Sequence, residues 1–188
     1  MTETKRCPWC TDSDTLMQKY HDHEWGKLNL DEKHLYEMLV LESFQSGLSW
    51  STVLHKRSNF RKAFNDFDLL TVAKMDETDI TRLMQDSSII RNRMKITAAI
   101  NNAKMILKIE VTQGSFAQYL QQFVKTPIVH HFENTESLPT TNSVATDLAR
   151  QMKKDGFSFV GPVTIYSYLQ SIGLINDHLE YCVFKYHG

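Results

Sequence analysis

The side chains best suited to chemistry fall in four groups. Cys7, Cys10 and His21 lie in an aromatic-rich N-terminal stretch, and His178 and Cys182 lie near the other end in HLEYC. Two thiolates and two imidazoles form a tetrahedral, water-excluding zinc set, and the three residues between His178 and Cys182 suit one face of a helical turn. Cys7-x-x-Cys10 is also the spacing of a redox dithiol, and buried cysteines beside surface histidines are the plain structural alternative. An odd count of three cysteines makes no disulfide framework.

The second group centres on LVLESFQSGLSWSTVL, residues 39–54, where Glu42 interrupts an apolar run. A carboxylate on an apolar face must accept hydrogen bonds, meet a cation or hold its proton. Trp9, Tyr20, Trp25 and Trp50 could wall a pocket around it for a flat, electron-poor or cationic ligand; a core of aromatics with Glu42 capping a helix or pairing with arginine is the alternative. The third group is FVGPVT, in which backbone N–H groups around Val160–Thr164 would open a helix and suit one phosphate, although Val-Gly-Pro can also be only a tight turn. The fourth is charge. Residues 51–110 hold 11 Lys and Arg against 7 Asp and Glu in a chain of net charge −1. The densest runs, His55–Lys62 and Arg91–Lys95, could face phosphates or simply solvent.

The elements that must position these groups read as helices. Asp31 and Glu32 begin one that runs to about Ser46, and at about 100° per residue Leu35, Met38, Leu39 and Glu42 share a face. Ser49 caps a helix to about Asn65, Asp68 one through Ala73, and Asp76 another. A longer helix covers roughly Ile90–Ile109, and Ser115 starts one through Val124. Residues 125–142, with Pro127 and Pro139, read as an extended connection. Ser143 opens a helix closed by Gly156; Gly161 permits a tight turn, Pro162 suits a first helical position and Gly173 ends that helix. Lys5–Trp25 reads as irregular, with one short turn of helix. No repeat and no useful strand alternation is present, so the fold class is all-α. The 188 residues fit one domain with a sizeable core. No signal peptide or membrane span is legible, which makes a cytoplasmic protein with no membrane partner the expectation.

Taken together, RCPW, YHDHEWG, LESFQSGLSWSTVL, IIRNRMKI, FVGPVTIYSYLQSIG and INDHLEYC resemble, in order and spacing, the bacterial 3-methyladenine DNA glycosylase I family, from about Arg6 to Cys182. The resemblance implies a helix-hairpin-helix DNA glycosylase fold whose terminal segments are joined by one structural zinc on Cys7, His21, His178 and Cys182, with Cys10 a bystander. It implies one domain over 1–188 in two lobes, residues 31–125 and residues 1–30 plus 126–188. The implied activity is hydrolysis of the N-glycosidic bond of 3-methyladenine in alkylated double-stranded DNA, by a monomer. Glu42 and Tyr20 would act on and read the base, Trp50 would stack on it, and Trp9, Trp25 and Ser167 would lie nearby. Gly47 and Leu48 would form the wedge that flips the base, and Gly161, Val163 and Thr164 would hold the backbone. Asp177 is expected to serve the zinc shell rather than the reaction. A non-catalytic damage-binding module with the same fold is the other reading.

Overall fold

The computed structural model describes residues 5–10 and 13–185. Ten α-helices make up most of the described residues, with one long extended connection between the eighth and the ninth. In chain order they are α1 (Thr15–His23), α2 (Glu32–Gln45), α3 (Trp50–His55), α4 (Arg57–Ala63), α5 (Leu69–Ala73), α6 (Glu77–Gln85), α7 (Arg93–Gln113), α8 (Phe116–Gln121), α9 (Ser143–Lys154) and α10 (Pro162–Ser171). Two two-residue strands, β1 (Ile128–Val129) and β2 (Ile175–Asn176), pair in parallel. They clip the extended connection to the chain's last segment.

Short polar side chains start most of these helices by accepting otherwise unpaired amides. Asp31, Ser49, Asp68, Asp76 and Ser115 do so where expected, and Asp76 with Asp79 completes a capping box. Elsewhere the structure departs from the sequence reading. The segment Lys5–Trp25, expected to be irregular with one short turn of helix, contains the nine-residue α1, capped by the Asp14 carboxylate through the amides of Leu16 and Met17. The helix expected from Ser49 to Asn65 is broken at Lys56, and the chain then makes a left-handed turn through Asn65, Asp66 and Phe67. The long helix begins at Arg93 rather than Ile90, because Asn92 rather than an earlier residue caps it, and ends at Gly114 with φ of +94°.

α2 is the axis of the molecule. Every residue from Leu35 to Phe44 is buried, so the single apolar face read from periodicity is in fact a helix enclosed all round. α10, α3, α7 and α8 all pack against it. Leu35, Met38, Leu39, Leu41 and Phe44 are fully buried, each worth about 1.5–3 kcal/mol relative to exposure. Beyond Phe44, the rings of Phe60, Phe64 and Phe67 stack in series. At the other end, Gly173 (φ +75°) lies so close to the preceding loop that a Cβ would come within 2.0 Å of the Lys27 carbonyl carbon. That contact brings the C-terminal segment against the end of α1.

Candidate active site

α1 carries Tyr20 and His21 on its inner side, and the loop after β2 brings His178 and Cys182 to meet them. With Cys7 these form a fully buried group whose ligand atoms lie within 4.8 Å of one another. Cys7 Sγ is 3.7 Å from His178 Nδ1, and Cys182 Sγ is 3.4 Å from His178 Nδ1 and 3.6 Å from His21 Nε2. Two bonds of the lengths found in Cys and His metal sites, set at the tetrahedral angle, give an S to N separation of about 3.6 Å. The donors are therefore spaced as a four-coordinate metal site needs. His178 and Cys182 are joined by a non-helical turn, with the Cys182 amide donating to Leu179 O, rather than by the helical turn read from their spacing. As bare side chains the thiols divide their protons unequally. The hydrogen bond to Cys182 and burial hold the proton on Cys7, while Cys182, accepting from Cys7 and facing both imidazoles, is drawn well below the usual thiol range.

The outer nitrogens of both imidazoles are engaged. His178 Nε2 donates to Trp25 O at 3.0 Å, and His21 Nδ1 bonds Asp22 at 2.7 Å, a carboxylate gripped in turn by the Arg6 guanidinium at 2.8–3.1 Å. Such bonds fix which nitrogen faces inward. Asp177, expected in this shell, is not there. It is fully buried and bonds His130, Tyr166 and Gln170 at 2.5–2.7 Å, tying the residue after β1 to α10, while Asn176 Oδ1 accepts from the His178 amide. Cys10 lies outside the group of four, its amide bonded to Cys7 O.

Trp9 touches His21, Tyr20 and Trp25, and Trp25 packs edge-on to His178 with centroids 4.6 Å apart. Trp25 therefore backs the Cys/His group. Tyr20 faces the other way, its ring 5.0 Å from that of Trp50 at the start of α3. Glu42 on α2 completes this corner, near enough to Tyr20 for its charge, after burial, to help raise the phenol well above its ordinary range. Glu42 itself is 5% exposed, its Oε2 has no hydrogen-bond partner, and burial pushes its carboxyl up to about 8. Trp50 Nε1 is likewise buried without a partner. Each such orphan costs on the order of 1–3 kcal/mol. Ser167 is partly buried on α10.

Between Glu42 and Trp50 the chain leaves α2 and makes an exposed turn through Gly47, at φ +81°, with Leu48 42% exposed at its tip. A second turn, exposed at Gly156 but with Phe157 and Val160 buried, joins α9 to α10. Its left-handed residues are Gly156 and Phe159, not Gly161, whose φ of −69° any residue can adopt. A Cβ at Gly161 would meet nothing of this chain. No side chain caps α10, so the amides of Val163 and Thr164 stand outside its hydrogen-bond ladder.

The basic runs, read as facing either phosphates or solvent, are largely committed inside the chain. Arg57 bonds Glu37 and Glu24, Arg61 bonds Glu37 at 2.7–3.0 Å, and Arg93 pairs with Glu77. Lys95 is 6% exposed. Sequence reasoning missed Glu37, which looked like one acid among several on α2; its two arginines hold it below the usual carboxylate range against the opposing effect of burial.

The helical fold is that of solved DNA glycosylases of the helical type. The chain belongs to the methyladenine glycosylase family, whose model matches residues 9–186. It is 43% identical over 183 residues to a DNA-3-methyladenine glycosylase of Haemophilus influenzae, covering 97% of this chain and 98% of that one. It is 44% identical over 179 residues to DNA-3-methyladenine glycosylase 1 of Escherichia coli, covering 95% of each. A solved 3-methyladenine DNA glycosylase I from Staphylococcus aureus superposes with a TM-score of 0.94 at 39% identity and 98% coverage of both chains. A variant 3-methyladenine DNA glycosylase I in complex with 3-methyladenine gives 0.93 at 39% identity, covering 96% of this chain and 97% of that one.

Proposed function

We propose that Glu42, Tyr20 and Trp50 receive a flipped-out 3-methyladenine, and that the chain, as a monofunctional DNA glycosylase, hydrolyses its bond to the sugar. The observation that carries this is the pair of buried, unpartnered polar atoms, Glu42 Oε2 and Trp50 Nε1, flanking Tyr20 in a chain of this family. A methyl group at N3 makes the base cationic. Trp50 stacks on it, and Glu42 and the Tyr20 hydroxyl read its polar edge. A cation beside Glu42 favours the carboxylate over the acid, giving the buried oxygen the partner it lacks. The C1′–N9 bond breaks with its electron pair going to the base, which neutralises the ring. Water adds its hydroxyl to C1′ and releases a proton, leaving an abasic site.

A base inside the duplex cannot reach this corner, so it is extruded and the gap is propped open. Leu48, carried by the Gly47 turn, is the wedge, and the free amides of Val163 and Thr164 beside the unobstructed Gly161 hold one phosphate of the alkylated double-stranded DNA. The base is read between the two lobes, with Trp9, Trp25 and Ser167 on its surroundings. The Cys7, His21, His178 and Cys182 group is taken as a structural zinc site, one ion per chain, because its donor types and spacing fit that ion. Its work would be to fasten α1, and so Tyr20, to the C-terminal loop. No described helix is long and apolar enough to cross a membrane, and we place the chain in the cytoplasm as a monomer.

Release of free 3-methyladenine from methylated duplex DNA by the purified, zinc-loaded protein is the expected result. A chain that binds methylated DNA and leaves every glycosidic bond intact is instead a damage-binding module.

A further inference from the structure

The turn that carries Leu48 and the turn between α9 and α10 are more than a hundred residues apart, yet one helix bonds to both. Two polar side chains on α7 are buried, Lys95 at 6% and Asn102 at 1% exposure. The Lys95 Nζ donates to Phe44 O at 2.9 Å and to Ser46 O at 2.6 Å. These carbonyls belong to the end of α2, where helical partners run out and the dipole favours a cation. Asn102 donates to Ser158 O at 3.0 Å and accepts from the Ser158 amide at 2.9 Å, so that one side chain satisfies both backbone groups of a residue in the second turn. Asn101 adds a bond to Gly156 O at 2.8 Å.

Residues seven apart on an α-helix project from nearly the same side, about 10 Å apart along the axis. α7 thus presents two backbone clamps, one per turn, at a fixed spacing. α2 closes the triangle, since Ser43 Oγ lies 3.4 Å from Phe159 O. Packing alone would be served by a methionine and a leucine at these positions without burying an ammonium or an amide. The feature that distinguishes the observed pair is that both act on main-chain groups of a turn.

We propose that α7 sets the separation between the wedge turn, residues 45–49, and the α9–α10 turn, residues 155–161, with Lys95 and Asn102 as positioning residues for action on duplex DNA. The inference rests on the reading of Leu48 as wedge and of the start of α10, into which the second turn leads, as phosphate clamp. Phosphate spacing in a duplex is fixed, so a clamp and a wedge that engage one strand must keep a fixed offset. A shift of about 1 Å in such an arrangement can cost up to about a hundredfold in rate.

The test is a double-mutant cycle on excision from methylated duplex DNA, with the affinity for free 3-methyladenine measured alongside. Leu48→Ala and Lys95→Met are each expected to lower kcat/KM by about tenfold or more. The double variant should stay within about threefold of Leu48→Ala alone, because Lys95 acts through the turn that carries Leu48. Free-base affinity should stay within about threefold of the parent in Lys95→Met. Losses that multiply in the double variant, or a matching fall in free-base affinity, overturn the positioning role and leave Lys95 merely structural. A loss in Leu48→Ala with none in Lys95→Met overturns this inference alone, whereas no loss in Leu48→Ala overturns the wedge reading and the inference with it. Lys95→Gln, which keeps a donor, takes the place of Lys95→Met in the cycle if the latter does not fold.

Discussion

Replacing Glu42 by glutamine is expected to stabilise the free protein while weakening its grip on the base. The Glu42 carboxyl is raised by burial from 4.5 to about 8. Below pH 4.5 it is protonated in both folded and unfolded chains and has no effect on stability. Between 4.5 and 8 the unfolded chain ionises it while the folded chain keeps the proton, so folding loses about 1.4 kcal/mol per pH unit as pH rises. Above 8 the loss is complete. At pH 7 the deficit is about 3 kcal/mol. Glutamine removes the titration but buries an amide with incomplete partners, costing about 1 kcal/mol. The net gain at pH 7 is about 2 kcal/mol, or about 4–8 °C in Tm for a chain of this size.

Urea unfolding of both proteins from pH 5 to pH 8 measures this directly. The parent should lose stability relative to Glu42→Gln as pH rises, and the two curves should converge toward pH 5. Parallel curves would mean that Glu42 is neither unpaired nor desolvated in solution. Calorimetry with 3-methyladenine gives the other half: the variant should bind more weakly by about 1.5–3 kcal/mol, the worth of hydrogen bonds to a charged group. Tighter folding with unchanged binding would make Glu42 a structural accident.

Gly173→Ala should cost at least about 3 kcal/mol, because its left-handed backbone and the Lys27 main chain 2.0 Å from the added Cβ both oppose it; chemical denaturation reads this. Arg57→Met should destabilise by about 3 kcal/mol, the lower end for breaking a buried ion pair, since Arg61 still holds Glu37. Prolonged chelation should release one zinc per chain, lower Tm, and expose Cys7 and Cys182 together to alkylation; Cys182→Ser should bind no stoichiometric zinc by elemental analysis.

How far the sequence could be read depended on the range of the interaction. Caps act over three residues, so Asp31, Asp68 and Asp76 announced their helices. Only a short turn is legible where α1 stands, because TLMQKYHDH looks polar as a whole, although Met17, Tyr20 and His21 at helical spacing behind Asp14 carry the signal of a full helix. The partnership of Glu37 with arginines 20 and 24 residues away is set by tertiary packing and leaves no local pattern. Lys95 and Asn102 were invisible for a related reason: a polar residue on a long helix reads as solvent-facing until a neighbouring element covers it. The residues of the Cys/His group were legible as a set by chemistry, but the turn joining His178 to Cys182 was not, because four-residue spacing fits a helix equally well. Gly161 was misread because glycine signals freedom without saying whether it is used.

The handling of buried charge around α2 bears on why the acid at position 42 stands alone. Glu37, 3% exposed, receives four bonds from Arg57 and Arg61. Lys95, from the facing helix, is satisfied by two carbonyls. Glu42, one and a half turns beyond Glu37 on the same helix, is as deeply buried and has an oxygen with no partner. A chain that supplies two arginines to one acid has the means to neutralise the next, so a bare Glu42 is consistent with a partner that arrives from outside. The required sign follows from the same physics. A neutral adenine meets a protonated acid and gains only ordinary hydrogen bonds, whereas a cationic base favours the carboxylate and recovers part of the roughly 3 kcal/mol that its burial withholds at pH 7. If Glu42 reads the base as proposed, discrimination between alkylated and ordinary adenine would be present already in the free protein, stored as the instability of one side chain.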